Sequence, residues 1–249
     1  MATIIAIGGG SVGFKDKQAE TTPIDQEIIR ASGKTNPQLL FIPTASSDNH
    51  EYVEAMRGQF GHRLGCSFDS LLVHKNTPSR QEIERKVAEA DIIYVGGGNT
   101  LMMMKRWRSL GMDTLLHNAA TSNKVLCGLS AGSICWFKCG NSDSRKYKNP
   151  DADLIKVTGL GLINALHCPH YDTEAERKAS LKAMMQKTPG IAIALDNCAA
   201  LQVTDNHYRI IRAKPTAQAY KVYWKRDTFY EEPLSTTNDF TPLSNLLRK

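Results

Sequence analysis

From Thr3 to Gly128 the chain alternates short apolar runs with amphipathic segments. Thr3–Ile7, Gln38–Ile42, 70–73, 91–95 and 125–128 have the length and apolar density of buried strands. Segments 23–31, 52–64, 80–90 and Thr100–Leu110 repeat their apolar residues at helical spacing, and Pro23 sits at a favourable first helical position. Strands separated by helices must cross over, and right-handed crossovers give a parallel sheet with helices on its faces. Beyond Ser130 the pattern changes. Segment 141–153 is polar and reads as a surface loop, and 175–185 reads as a helix. Ile191–Leu195, 199–203, 208–212 and 219–224 read as strands at hairpin spacing, with Asp205-Asn206 as a turn. The expected class is α/β: a doubly wound, mostly parallel sheet with C-terminal antiparallel strands. No repeat or linker interrupts residues 1–249, so a single domain is expected.

With 41% hydrophobic residues in 249, the chain can bury a sizeable core. The net charge is +6, but the basic residues are scattered, and Arg145-Lys146-Tyr147-Lys148 is the densest cluster. That distribution argues against nucleic acid and leaves a field suited to steering a small acidic substrate. None of the six cysteines forms a C-x-x-C pair, so no metal is expected, and no motif implies an organic cofactor. The first eight residues read as a strand rather than a signal peptide, and no apolar run is long enough for a membrane span. Reduced cysteines then fit a cytoplasmic protein.

The chemistry concentrates at Gly128-Leu129-Ser130-Ala131-Gly132. An apolar run precedes this G-x-S-x-G, and a second, read as a helix, follows it. A tight strand-to-helix turn presents a serine Oγ above a sheet, and the N–H groups at the helix start face a developing oxyanion.

Two glycine runs fall at strand ends, where open α/β sheets place their sites. Gly96-Gly97-Gly98-Asn99-Thr100 follows a strand and lets backbone N–H groups approach a ligand, with Asn99 or Thr100 capping the next helix. Gly8-Gly9-Gly10-Ser11 has neither the G-x-G-x-x-G context nor a P-loop lysine, so nucleotide binding is not expected. A serine needs a base, and Leu166-His167-Cys168-Pro169-His170-Tyr171-Asp172 offers two at the end of an apolar run. Pro169 rigidifies the approach to His170. Asp196, at the end of a strand, is the expected orienting acid, with Asp143 and Asp172 as competitors.

In this order, Gly96-Gly97-Gly98-Asn99-Thr100, Gly128-Leu129-Ser130-Ala131-Gly132 and Cys168-Pro169-His170-Tyr171 resemble the peptidase E family of serine peptidases. The resemblance runs from the first strand to about residue 203. It implies a flavodoxin-like fold similar to class I glutamine amidotransferases, with Ser130 as nucleophile and His170 as base. Gly98 and Ala131 would supply the oxyanion N–H groups. The family's third member is a glutamate on a late strand, which here implies Asp196, one methylene shorter. The implied activity is that of an intracellular exopeptidase on small peptides, with an N-terminal aspartate preference. Asn99 and Arg177 are expected to bind substrate, and a homo-oligomer is compatible. Serine where amidotransferases carry cysteine argues against glutamine amidotransfer. The alternatives are an α/β-hydrolase esterase, which expects an HGGG-type loop missing here, and a binding protein that has lost catalysis.

Overall fold

A computed structural model describes residues 2–13, 18–173, 175–237 and 239–249. The charged stretch that follows Gly13 in the sequence, residues 14–17, lies outside the described residues. In chain order the strands are β1 (Thr3–Ile7), β2 (Gln38–Ile42), β3 (Ser67–Ser70), β4 (Ile92–Val95), β5 (Val125–Leu129), β6 (Phe137–Ser142), β7 (Ile155–Thr158), β8 (Ile163–Cys168), β9 (Ile191–Leu195), β10 (Ala199–Thr204), β11 (His207–Arg212), β12 (Ala219–Lys225), β13 (Thr228–Pro233) and β14 (Thr241–Pro242). The helices are α1 (Thr22–Ala31), α2 (His50–Met56), α3 (Arg80–Glu89), α4 (Thr100–Leu110), α5 (Met112–Ala119), α6 (Ala131–Ile134), α7 (Ala175–Lys187) and α8 (Leu243–Leu247).

An eight-stranded sheet runs β14-β11-β10-β1-β5-β4-β2-β3. Strands β1, β5, β4, β2 and β3 are parallel, and β10 and β11 add antiparallel strands on the β1 side. Alternate residues face opposite sides, as strand geometry requires. Ile5, Ile7, Leu39, Phe41, Ile92, Tyr94 and Cys127 pack with Ile24 and Ile28 of α1 and Val53 and Met56 of α2. Leu40, Ile42, Ile93, Val95 and Leu126 pack with Ile83 and Val87 of α3, Trp107 of α4 and Leu116 of α5. Both faces are covered, which explains why these strands read as continuous apolar runs. This is the expected doubly wound α/β class.

A second sheet, β13-β12-β9-β8-β6-β7, holds six strands. It corrects several sequence readings. The helix after Ser130 is only four residues long, and Phe137–Ser142 is a strand. Asn141, Ser142 and Ser144 are buried, so the start of 141–153 is core rather than surface loop. The expected C-terminal strands divide: β9 and β12 join the second sheet, and β10 and β11 the first. The third strand is Ser67–Ser70 rather than 70–73. The expected helix 52–64 is α2 running into a π-helical turn, Arg57–Arg63.

That turn points Gln59 inward. Its Nε2 donates to Asp25 Oδ2 at 2.8 Å, and Thr21 Oγ1 donates to the same oxygen at 3.1 Å. Asp25 is fully buried, and burial pushes its carboxyl up to about 7. All six cysteines are reduced and buried. Among the described residues, no helix is long and apolar enough to cross a membrane, and no group of three or more His, Cys, Asp or Glu could hold a metal.

Candidate active site

Ser130 lies between β5 and α6 with φ 56° and ψ −111°, a conformation few non-glycine residues adopt. The surroundings hold it there. Its N–H donates to the Ile7 carbonyl at 3.0 Å. Its carbonyl accepts from the Ser133 and Ile134 N–H groups, each at 3.0 Å, and from Ser133 Oγ at 2.7 Å. The peptide plane is rigid and trans, so the N–H of Ala131 points the opposite way, out of the start of α6. The β4–α4 loop runs alongside, and a Cβ on Gly97 would lie 3.5 Å from that of Ser130. Gly98 has φ +136°, and a Cβ there would come within 2.2 Å of the Ala45 carbonyl oxygen. Only glycine lets the loop pass this close.

His170 follows β8 and also has positive φ, 53°. Its N–H donates to the Gly8 carbonyl at 3.2 Å. Its Nε2 is 2.8 Å from Ser130 Oγ. On the other side of the ring, Nδ1 is 2.7 Å from Asn197 Oδ1. An amide oxygen can only accept, so Nδ1 carries the proton and the Nε2 lone pair faces the serine hydroxyl. Asn197 is itself fixed: its backbone N–H donates to Asp172 Oδ1 at 2.9 Å, and Nδ2 donates to Thr173 Oγ1 at 3.3 Å. A Cβ on Gly9 would fall 1.9 Å from Asn197 Oδ1 and 2.4 Å from His170 Nδ1. The first glycine run therefore makes room for this pair rather than for a phosphate.

Ser130 and His170 are thus brought together, but Asp196 is not brought to the ring. Its Oδ2 accepts from the Gln218 N–H at 2.9 Å, and its own N–H donates to the Gln218 carbonyl at 3.0 Å. Asp196 ties the end of β9 to the residue before β12, and burial pushes its carboxyl above the ordinary range. Successive side chains beyond a strand point to opposite sides, so the one-residue choice between 196 and 197 decides which of them meets the histidine. Asp172 holds Asn197 rather than His170. Asp143 opens a turn, where its carbonyl accepts from the Lys146 N–H at 2.8 Å.

His167 is a buried structural histidine. Its Nδ1 donates to the Ile193 carbonyl at 2.9 Å, its Nε2 lies 2.8 Å from Ser133 Oγ, and its ring stacks on Phe137 at 4.5 Å. Burial pushes it down to about 3, so it stays neutral. Arg177, expected at the substrate, is 1% exposed, and its guanidinium donates to the Asn141 carbonyl at 2.6 Å. That buried contact corrects the expectation. Asn99 caps α4 through Oδ1, accepting from the Met102 N–H at 3.0 Å, and also lines the cleft.

The cleft holds about 950 Å³. Gly10, Ser11, Gly97, Gly98, His170 and Asn197 line it, with Tyr52, Met102 and Tyr147 as its larger apolar walls. Tyr52 escaped the sequence reading because it follows the apolar spacing of an ordinary core helix residue. Its hydroxyl accepts from the Gly97 N–H at 3.3 Å and braces the loop beside Ser130.

A doubly wound sheet with a serine on a strained strand-to-helix turn and a histidine beside it defines a serine-type hydrolase. Residues 4–211 match peptidase family S51, and the chain belongs to that family, that of peptidase E. It is therefore a serine-type peptidase. A Bacillus subtilis protein named "Uncharacterized peptidase YgaJ" is 34% identical over 236 residues, covering 94% of this chain and 97% of its own. A Shewanella denitrificans protein named "Peptidase E" is 27% identical over 178 residues, 67% of this chain and 72% of its own. The crystal structure of a peptidase from an acI-B1 Actinobacterium superposes with a TM-score of 0.71 at 18% identity, over 97% of each chain. That likeness concerns the fold.

Proposed function

We propose that the protein hydrolyses short peptides through a Ser130–His170–Asn197 arrangement and an acyl-enzyme. The Ser130 Oγ to His170 Nε2 contact of 2.8 Å, with Asn197 behind the ring, is the observation that carries this reading. His170 takes the Ser130 proton as Oγ attacks the peptide carbonyl. The imidazolium then protonates the leaving amine, and a water activated by the same histidine releases the acyl group. The Gly98 and Ala131 N–H groups face the oxyanion, and neither has an acceptor within the chain among the described residues. The amide of Asn197 keeps the histidine in the reactive tautomer but adds no charge to stabilise the imidazolium, as in Cys-His-Asn peptidases.

The parallel sheet, interrupted after β5 by a second sheet, does not favour the α/β-hydrolase reading. A shortened acid at Asp196 would favour a binding protein that has lost catalysis, but Asn197 rather than Asp196 meets the histidine ring, and that support falls away. An N-terminal aspartate preference no longer has Arg177 to support it. Lys178 pairs with Glu231 at 3.3 Å, and Lys146 pairs with Glu176.

Fluorophosphonate labelling and a panel of dipeptides with varied N-terminal residues test the proposal. Ser130→Ala should abolish labelling and lower turnover by on the order of 10⁶. Retention of a few per cent of activity would remove Ser130 from the mechanism.

A further inference from the structure

Beside the catalytic cleft lies a second one of about 900 Å³, sharing Asn99, Met102 and Lys148 with it. The ridge between them is built, not incidental. Ser144, 4% exposed, accepts the Leu101 N–H on its Oγ at 2.9 Å and Asn99 Nδ2 on its carbonyl at 3.2 Å. These bonds pin the 144–149 turn to the start of α4. Lys105, Arg106, Arg145 and Lys148 line the second cleft together with His74, and its lining includes no Asp or Glu among the described residues. Arg106 is anchored to neutral acceptors, the Val73 and Asn76 carbonyls and Thr77 Oγ1, at 2.6 to 3.1 Å. Lys105, Arg145 and Lys148 have no ion-pair partner among the described residues, although cations elsewhere on the surface are repeatedly paired. The carboxylate behind the wall, Asp48, is held by the His74 N–H at 2.6 Å and does not line the cleft. The catalytic cleft differs in charge. Glu51 and Glu20, the latter paired with Lys214, line it, and Lys148 is its one Lys or Arg among the described residues.

A peptide lying across the ridge therefore passes from a region with two glutamates into one with four cations. We propose that the second cleft is a carboxylate subsite for the part of the peptide furthest from the scissile bond. The proposal rests on the serine-peptidase reading of the first cleft. A free α-carboxylate and an acidic side chain offer the same chemistry, and both suit exposed cations that read charge rather than shape.

Ser130→Ala protein allows binding to be measured without turnover. The probes are one tetrapeptide as its free acid and as its C-terminal amide, and the same tetrapeptide with Glu or Gln at its last two positions. Each is titrated with and without Lys105→Glu and Arg145→Glu together, two exposed positions outside the catalytic residues. The carboxylate form should bind roughly tenfold tighter than its neutral counterpart at low salt, and charge reversal should erase the difference. A gain for the free acid identifies the α-carboxylate, and a gain for Glu over Gln identifies the side chain. Equal affinities across both pairs, or a preference that survives charge reversal, would overturn the subsite. Integrity of the double variant is checked in the Ser130 background by fluorophosphonate labelling and p-nitrophenyl acetate hydrolysis, which do not use the second cleft. Failure of both assays in the unaltered protein would instead overturn the serine-peptidase reading, and the subsite with it.

Discussion

Asn197 Oδ1 lies 2.7 Å from His170 Nδ1, on the side of the ring opposite Ser130. A neutral amide thus occupies the position where a carboxylate was expected. Asn197→Ala should lower kcat by about 10²- to 10⁴-fold, the range a misplaced general base costs. Asn197→Asp should keep activity and move the acid limb of the pH–rate profile to higher pH, because a carboxylate favours the imidazolium. Asp196→Asn, which can still accept from the Gln218 N–H, should leave that limb in place. An inactive Asp196→Asn beside an active Asn197→Ala would reverse the assignment.

The two histidines should separate stability from chemistry. His170→Ala should lose nearly all turnover while its melting temperature changes little. His167→Ala removes a fully buried ring that stacks on Phe137 and holds both Ser133 and the Ile193 carbonyl. Its expected cost is about 2–4 kcal/mol of stability, from the cavity and the orphaned carbonyl. Paired denaturant melts and turnover assays decide; an equally stable His167→Ala would contradict the structural role.

Asp25 and His167 should pull stability in opposite directions with pH. The Asp25 carboxyl is raised to about 7, so its contribution is intact below the unfolded value of 3.8 and is lost as pH rises through 7. His167 is lowered to about 3, so its contribution is intact above the unfolded value of 6.5 and is lost as pH falls toward 3. Between pH 4 and 6.5 the two slopes oppose each other. Asp25→Asn should expose the histidine slope. Relative to the unaltered chain it should gain up to about 4 kcal/mol on going from pH 4 to pH 7, at 1.36 kcal/mol per unit. Urea melts across that window would show parallel curves if Asp25 does not titrate there.

Gly9→Ala should be nearly inactive although it changes no reacting group. The added methyl would sit 1.9 Å from Asn197 Oδ1, so Asn197 or His170 must move. A displacement of about 1 Å costs on the order of 10² in rate. Because the overlap is with the Asn197 and His170 side chains, fluorophosphonate labelling should fall in parallel with peptide turnover. Full labelling with lost turnover would place the defect elsewhere.

The local code of the chain was legible wherever a segment's burial is set by its own sheet. Strands β1, β2 and β9 stand where the apolar pattern predicts, because residues covered on both faces must be apolar whatever lies beyond, and helix α4 stands where the spacing of its one buried face, with Met103, Met104 and Trp107, predicts. The same holds for the turn at Ser130, which small residues on either side announce. What the sequence left open were choices that depend on distant partners. Segment 133–137 reads as a helix and 141–153 as a surface loop, until β8 and β7 pair with Phe137–Ser142 on either side. Arg177 reads as a substrate-binding cation until its buried guanidinium meets the Asn141 carbonyl. Asp196 and Asn197 are adjacent, and either could meet a histidine. Only the crossing of the chain between the two sheets, with Asp196 tied to Gln218 and Asn197 to Asp172, turned the amide rather than the carboxylate toward His170. Periodicity is a local property and specified the layers, whereas the third member of the site follows from which way one corner of the backbone turns.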